Sequence, residues 1–326
     1  MKVTRYRSEF KEKWDSFIKI GKNSTFLFNR NFIEYHADRF EDHSLLLFDE
    51  KNTLVALIPA NISKQNSATV VSHEGLTYGG LIVKKDTKLI TVLIAFYHLL
   101  KYLYENQIST FNFKQIPSFY NTMPTSEVEY VMFLLDADLY RRDIALVIDQ
   151  QNKIATTGNI RREGNKAERL NATIAEDATM NVFWEAVLVP NLMERYGINP
   201  VHSLAEINLL KSRFPENIRQ LNVSINGSVV AGTTLFICND VVHCQYISSN
   251  EEGRKTGALN YLFRHLVETM FVNYRYFDFG IVNEEDGRSI NNGMLFWKES
   301  FGGRSMQHDF YSIYTSAYKK LEKYLA

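Results

Sequence analysis

The stretch from Gln220 to Gly280 constrains the fold most. Leu221-Asn-Val-Ser-Ile alternates with the period of a strand and meets Asn226-Gly227, a dipeptide that tolerates the positive φ angles of a tight hairpin. Val229 to Ile237 reads as the second strand, Asn239-Asp240 as another turn, and Val241 to Ser248 as a third strand. Glu251-Glu-Gly-Arg-Lys-Thr-Gly reads as a loop. Leu259, Leu262, Phe263, Leu266, Val267 and Met270 then recur at spacings of three and four, which places them on one helix face. Tyr276 to Gly280 returns as a strand, so a β-meander feeds a helix that leads back to the sheet.

The N-terminal half follows the same plan. Leu45 to Phe48, a turn at Asp49-Glu-Lys-Asn and Leu54 to Ile62 form a hairpin, followed by strand-like Ala68 to Ser72 and Leu81 to Val83. A helix from about Thr87 to Glu105 presents Ile90, Leu93, Ile94, Tyr97 and Leu100 on one side, and Phe111-Asn-Phe then parallels Phe277-Asp-Phe. The two halves read as a diverged internal duplication. Gln150-Gln-Asn-Lys has the composition of a linker, so the expected domains are residues 1–150 and 151–326.

A chain of 326 residues is comfortable for two cores. Its 37 Lys and Arg balance 37 Asp and Glu, so no global field draws in a polyanion, and bulk nucleic-acid binding is not expected. The start, Met1-Lys-Val-Thr-Arg-Tyr-Arg, has no apolar core of signal-peptide length behind it. The apolar-rich segment Val92 to Leu103 is broken by His98 and Lys101 and is too short to span a bilayer. The two cysteines, Cys238 and Cys244, could face each other across a hairpin but fit better as buried reduced thiols. A cytoplasmic location is the expectation.

Three pieces in order carry a family resemblance. They are Arg161-Arg-Glu-Gly-Asn-Lys-Ala-Glu168, the meander and helix at 220–270, and Phe277-Asp-Phe-Gly followed by Phe296-Trp-Lys-Glu-Ser-Phe-Gly. Together they resemble the GNAT superfamily of acyltransferases, in the two-domain branch related to Fem-type peptidoglycan aminoacyltransferases and BioF2-like acetyltransferase domains. The resemblance implies a mixed α/β fold of two tandem GNAT-like domains, each a mostly antiparallel sheet flanked by helices. It also implies transfer of an acyl group from a thioester or an aminoacyl-tRNA to an amine. Acyl-CoA, with acetyl-CoA as the simplest case, would be the donor. The GNAT donor-phosphate pattern maps onto Arg254, Gly257 and Ala258, although Leu259 stands where a small residue is expected. A helix N-terminus is suited to phosphate; a plain helix-start loop fits these residues equally.

Other candidates come from the residues themselves. Lys298, flanked by Phe296, Trp297 and Phe301, could contact a donor phosphate or stabilise an oxyanion, a role that the Fem-type resemblance supports. Alternatively its stem packs on the aromatics while its head is solvated. Asp278, at a strand end, could accept a proton from an amine or orient it, or could cap the loop Asn283-Glu-Glu-Asp-Gly. Tyr246, in the strand before the donor loop, and His243 at its start supply polar groups to a cleft wall; Tyr246 could handle the proton of the acceptor amine, although a tyrosine there is more often packing than catalysis.

In the N-terminal half, Ser72-His73-Glu74-Gly75-Leu-Thr-Tyr78-Gly79-Gly80 offers His73 for catalysis and Glu74 and Tyr78 for the acceptor, or is simply a glycine-rich bend. Arg162, Lys166 and Arg169 share a helix face that could hold a phosphorylated acceptor, such as a sugar or cell-wall precursor, or an RNA backbone. A solvated helix paired with Glu163 and Glu168 is the plainer account. No metal-ligand motif and no nucleophile elbow occurs, so no metal is expected. The sequence thus favours a coenzyme A-dependent N-acyltransferase. An aminoacyl-tRNA-dependent ligase and a binding module with a degenerate donor loop remain as alternatives.

Overall fold

The computed structural model describes residues 1–325. The chain divides into two compact units: one comprises Met1–Asp143, Asp286–Arg288 and the residues from Gln307 onward, the other Ile144–Glu285 and Ser289–Met306. The division falls within the strand Asp138–Asp149, and Gln150–Asn152 is a short 3-10 turn capped by the Asp149 carboxylate. The sequence places the boundary instead near residue 150 and assigns the C-terminal segment to the second domain. A linker-like composition at 150–153 marks the turn, whereas the return of the chain after Met306 leaves no local signal.

The second unit contains the predicted meander. Ile218–Ile225, Ser228–Cys238 and Val241–Ser249 pair antiparallel in sequence, and Thr173–Asp177 extends the sheet beyond Ile218–Ile225. Asn226 and Gly227 hold positive φ angles, as the hairpin requires. Tyr276–Ile281 adds parallel to Val241–Ser249 and antiparallel to the end of Asp138–Asp149. Leu262, Phe263, Leu266 and Val267 are buried in the core against this sheet, which accounts for the apolar spacing read from sequence. Glu251–Thr256 is a helical turn rather than the expected loop, capped by the Asn250 side chain, and Ala258–His265 continues from it beyond Gly257. Cys238 and Cys244 are both buried thiols.

In the first unit, Lys2–Arg5, Leu45–Phe48, Leu54–Ile58 and Ile82–Val83 form one sheet. Asn61–Ile62 and Thr69–Val71 pair antiparallel. Thr69–Val71 also runs parallel to Thr110–Lys114, which pairs with the C-terminal strand from Phe310. The expected single strand 54–62 is therefore split in two. The long helix is Leu89–Glu105, and the face buried in the core carries Val92, Leu93, Phe96, Leu99, Leu100 and Leu103. Ile90, expected on the buried face, is 45% exposed.

Each unit thus contains one parallel strand pair joined through a helix. Among the described residues no helix is long and apolar enough to cross a membrane.

Candidate functional site

The parallel ladder between Val241–Ser249 and Tyr276–Ile281 is only three rungs long and ends at His243 opposite Asp278. Both strands are irregular just past that rung. Gln245 is an extra residue against the neighbouring strand, since Leu235 pairs with Cys244 and Thr234 with Tyr246. Tyr276–Ile281 shifts register between Asp278 and Ile281, and Gly280 takes a φ of 75° there. Bulges bend strands and re-aim their side chains, and two bulges at the same level end the pairing.

At the last rung the His243 Nδ1 lies 2.7 Å from the Asp278 Oδ2. Asp278 lies within the strand and is buried, not at its end as the sequence suggested, and its Oδ1 accepts from the Gly280 N–H at 2.7 Å. The carboxylate therefore caps its own bulge and orients the imidazole, whose side chain is 15% exposed. A histidine whose Nδ1–H is held by a carboxylate presents Nε2 as a proton acceptor. The adjacent Cys244 is no rival nucleophile, because burial, reinforced by the Asp278 charge, pushes its thiol well up.

Lys298 lies on the helix Asn292–Ser300 and is 4% exposed, so its head is not solvated. Its Nζ donates to the Gly280 carbonyl at 3.0 Å and to the Ile281 carbonyl at 2.7 Å. Burial lowers its pKa to about 8, against the attraction of Asp278. The ammonium thus ties down the bulge at the Gly280 and Ile281 carbonyls. Around this tie Trp297 and Phe301 pack with Phe263 and Phe279, while Phe296 is 67% exposed and turned away from the cluster.

Tyr246 lies beyond the bulge. Its hydroxyl accepts from the His202 backbone N–H at 3.2 Å and lies 2.7 Å from the His202 Nδ1. The ring meets Trp184 edge-on, and burial raises its pKa to about 12. This hydroxyl latches the loop before the helix Leu204–Arg213 onto the sheet.

Arg254 donates to the Asn191 side chain at 2.9 Å and the Ser249 carbonyl at 3.0 Å. Gly257, at φ 73°, and Ala258 are buried against the helix Gly158–Arg169, where a Cβ on Gly257 would run into the Glu163 carbonyl. Arg162 and Lys166 are exposed on that helix, and both pair with Glu163. The basic face is therefore partly neutralised by its own carboxylate.

The remaining candidates lie in the first unit. His73 is buried at φ 69°, packed beside His36 and Phe40, and burial lowers its pKa well below the ordinary value. The Glu74 carboxylate accepts from Asn61 and Ser63, and the Tyr78 hydroxyl donates to Thr25. Lys114 donates to the Glu74 and Leu76 carbonyls, so the segment is knitted into the unit by its own polar groups. The rung equivalent to His243–Asp278 pairs Val71 with Asn112, and neither side chain can relay a proton as an imidazole–carboxylate pair does.

The His243–Asp278 contact is the feature that sequence reasoning missed, although it singled out both residues. The available signal was a polar residue inside each of two apolar strands, Val241-Val-His-Cys and Phe277-Asp-Phe.

The chain is similar to several known proteins. Residues 155–288 match the family model described as an acetyltransferase (GNAT) domain, which supports catalytic acyltransferase activity. The crystal structure of FemX superposes with a TM-score of 0.67 at 9% identity, covering 99% of this chain and 100% of that one. L-PGS from Bacillus licheniformis gives 0.59 at 12%, covering 95% and 93%. A tandem GNAT protein from the clavulanic acid biosynthesis pathway gives 0.51 at 10%, covering 96% and 98%. Residues 155–288 thus carry the GNAT-domain match, and the chain as a whole has a fold like those of the three structures named. No curated protein matches the sequence.

That fold implies an acyl-CoA-type donor site. The sequence sets a donor pyrophosphate at the turn Asn250–Gly257, where Glu251 pairs with Lys255. Glu251 and Glu252 stand in its first turn, and the Gly253 N–H is already taken by the Asn250 side chain. Carboxylates at a helix N-terminus occupy the field that a phosphate would use. Among the described residues no cluster of three or more His, Cys, Asp or Glu is placed to hold a metal ion.

Proposed function

We propose that the protein is an N-acyltransferase in which the imidazole of His243, oriented by Asp278, takes the proton of an acceptor amine. The observation that carries this reading is the 2.7 Å His243–Asp278 contact at the end of the parallel ladder, inside the segment that matches the acetyltransferase domain. A neutral amine attacks the activated acyl carbon, the nitrogen loses a proton to Nε2, and the donor's leaving group departs. No covalent enzyme intermediate is involved, in keeping with the inert Cys244. Lys298 holds the bulge and through it the carboxylate, so it is a positioning residue. Tyr246 positions the loop at His202. The two tandem GNAT-like domains would then be unequal, with the chemistry in the second, because Val71 and Asn112 replace the dyad in the first.

Acyl-CoA is the donor class that the fold implies, and an amino sugar, a peptide amine or a cell-wall precursor is the acceptor class. The acidic turn at Glu251 and Glu252 favours a second reading for the donor, an aminoacyl-tRNA, which carries no pyrophosphate to seat there.

Calorimetry with acetyl-CoA and coenzyme A, followed by an amine panel, tests the reading. Binding in the micromolar range, with turnover lost by about 100-fold or more in His243→Ala, is the expected result. Undiminished turnover in His243→Ala refutes the dyad. No coenzyme A binding up to about 1 mM, roughly −4 kcal/mol, moves the donor to aminoacyl-tRNA.

A further inference from the structure

The first unit contains a small polar cavity, walled by the Gly79–Gly80 backbone, Phe113, Gln115, Asn121 and Glu129, and open on one side. Its closed part has room for about one water-sized group. Three oxygens on its walls, Gln115 Oε1, Asn121 Oδ1 and Glu129 Oε2, are buried without a hydrogen-bond partner. The Gln115 side chain hydrogen-bonds the Glu129 carboxyl. Since a carboxylate accepts, the Gln115 amide nitrogen faces Glu129, which leaves its oxygen as the unpartnered atom.

Buried polar atoms are nearly always paired, so three unpaired acceptors around one space call for a group that donates. The local charge says which kind. Burial, and with it the charges of Glu127 and Asp309, raises the pKa of Glu129, so a cation beside it would be needed to hold it as a carboxylate. Lys22 is engaged by Glu127 and Arg142 by Asp309, and among the described residues Glu129 has no ion pair.

We infer that this cavity binds the ammonium head of a primary amine. Three N–H donors meet three acceptors, a carboxylate supplies the counter-charge, and the space admits the head while the carbon chain leaves through the open side. Phe113 and Val128 offer apolar wall to the first carbons. An amine held this way keeps its lone pair bound to a proton, so the site is an anchor and not the place where a nitrogen is acylated. The inference does not rest on the acyl-transfer reading.

Titration of the full chain with n-butylammonium chloride, against tetramethylammonium chloride, tests it. Saturable binding of butylammonium is expected, weakened about tenfold or more in Glu129→Gln, with no binding of tetramethylammonium, which has no N–H. Should Glu129→Gln fail to fold, Asn121→Leu fills the cavity from another wall and must abolish binding. Equal binding of the two cations, unchanged affinity in the variant, or crystals grown with butylammonium that show only water in the cavity would each overturn the inference.

Discussion

Replacing Lys298 by Met separates a buried ammonium from a solvated one. In the folded protein burial lowers the Lys298 pKa from the ordinary 10.5 to about 8. Below pH 8 the lysine is charged in both the folded and unfolded chains. Between 8 and 10.5 the unfolded chain binds more protons, so stability conferred by this position rises with pH across that window. At about 1.4 kcal/mol per pKa unit, the rise amounts to about 3 kcal/mol. Methionine matches the stem and cannot titrate. The stability of the native protein minus that of Lys298→Met should therefore grow by about 3 kcal/mol from pH 7 to pH 10.5. Titrating groups that do not feel the Lys298 charge, Lys114 among them, cancel in this difference. Urea unfolding followed by tryptophan fluorescence at several pH values measures it. A difference that stays flat would refute the buried-charge account and return Lys298 to a lysine with its head in water.

Three further outcomes follow from the same contacts. Asp278→Asn removes the acceptor of the His243 Nδ1–H, and the kcat of acyl transfer should fall by a factor of about 100 to 10,000; steady-state rates with a competent donor and amine check this. Gly257→Ala puts a Cβ at φ 73° against the Glu163 carbonyl, which should cost about 2 kcal/mol or more and show in thermal unfolding. Ser203→Ala breaks the capping box with Glu206 and should cost about 1 kcal/mol, read from urea unfolding.

The meander, its Asn-Gly hairpin and the apolar helix face were legible because their signals are local: period two, a turn dipeptide and a spacing of three and four. Phe277-Asp-Phe and Phe111-Asn-Phe were legible as counterparts, and the ladders place them at equivalent rungs. Pairing across a sheet was not legible. His243 and Asp278 are 35 positions apart, and only the parallel register makes them neighbours. Glu251–Thr256 looked like a loop because Gly253 and Gly257 interrupt it, yet Gly253 sits under Val230 and Gly257 against Glu163, both positions with no room for a side chain. The orphaned oxygens of Gln115, Asn121 and Glu129 come from three separate segments, so no motif could announce them.

The Lys298 tie also bears on the order in which the protein becomes competent during synthesis. Two carbonyls of the bulge that sets Asp278 accept from a side chain 18 and 17 residues later in the chain, on another helix. Until that helix has docked, the bulge lacks this fastening. The setting of Asp278 is therefore complete only when the helix Asn292–Ser300 docks.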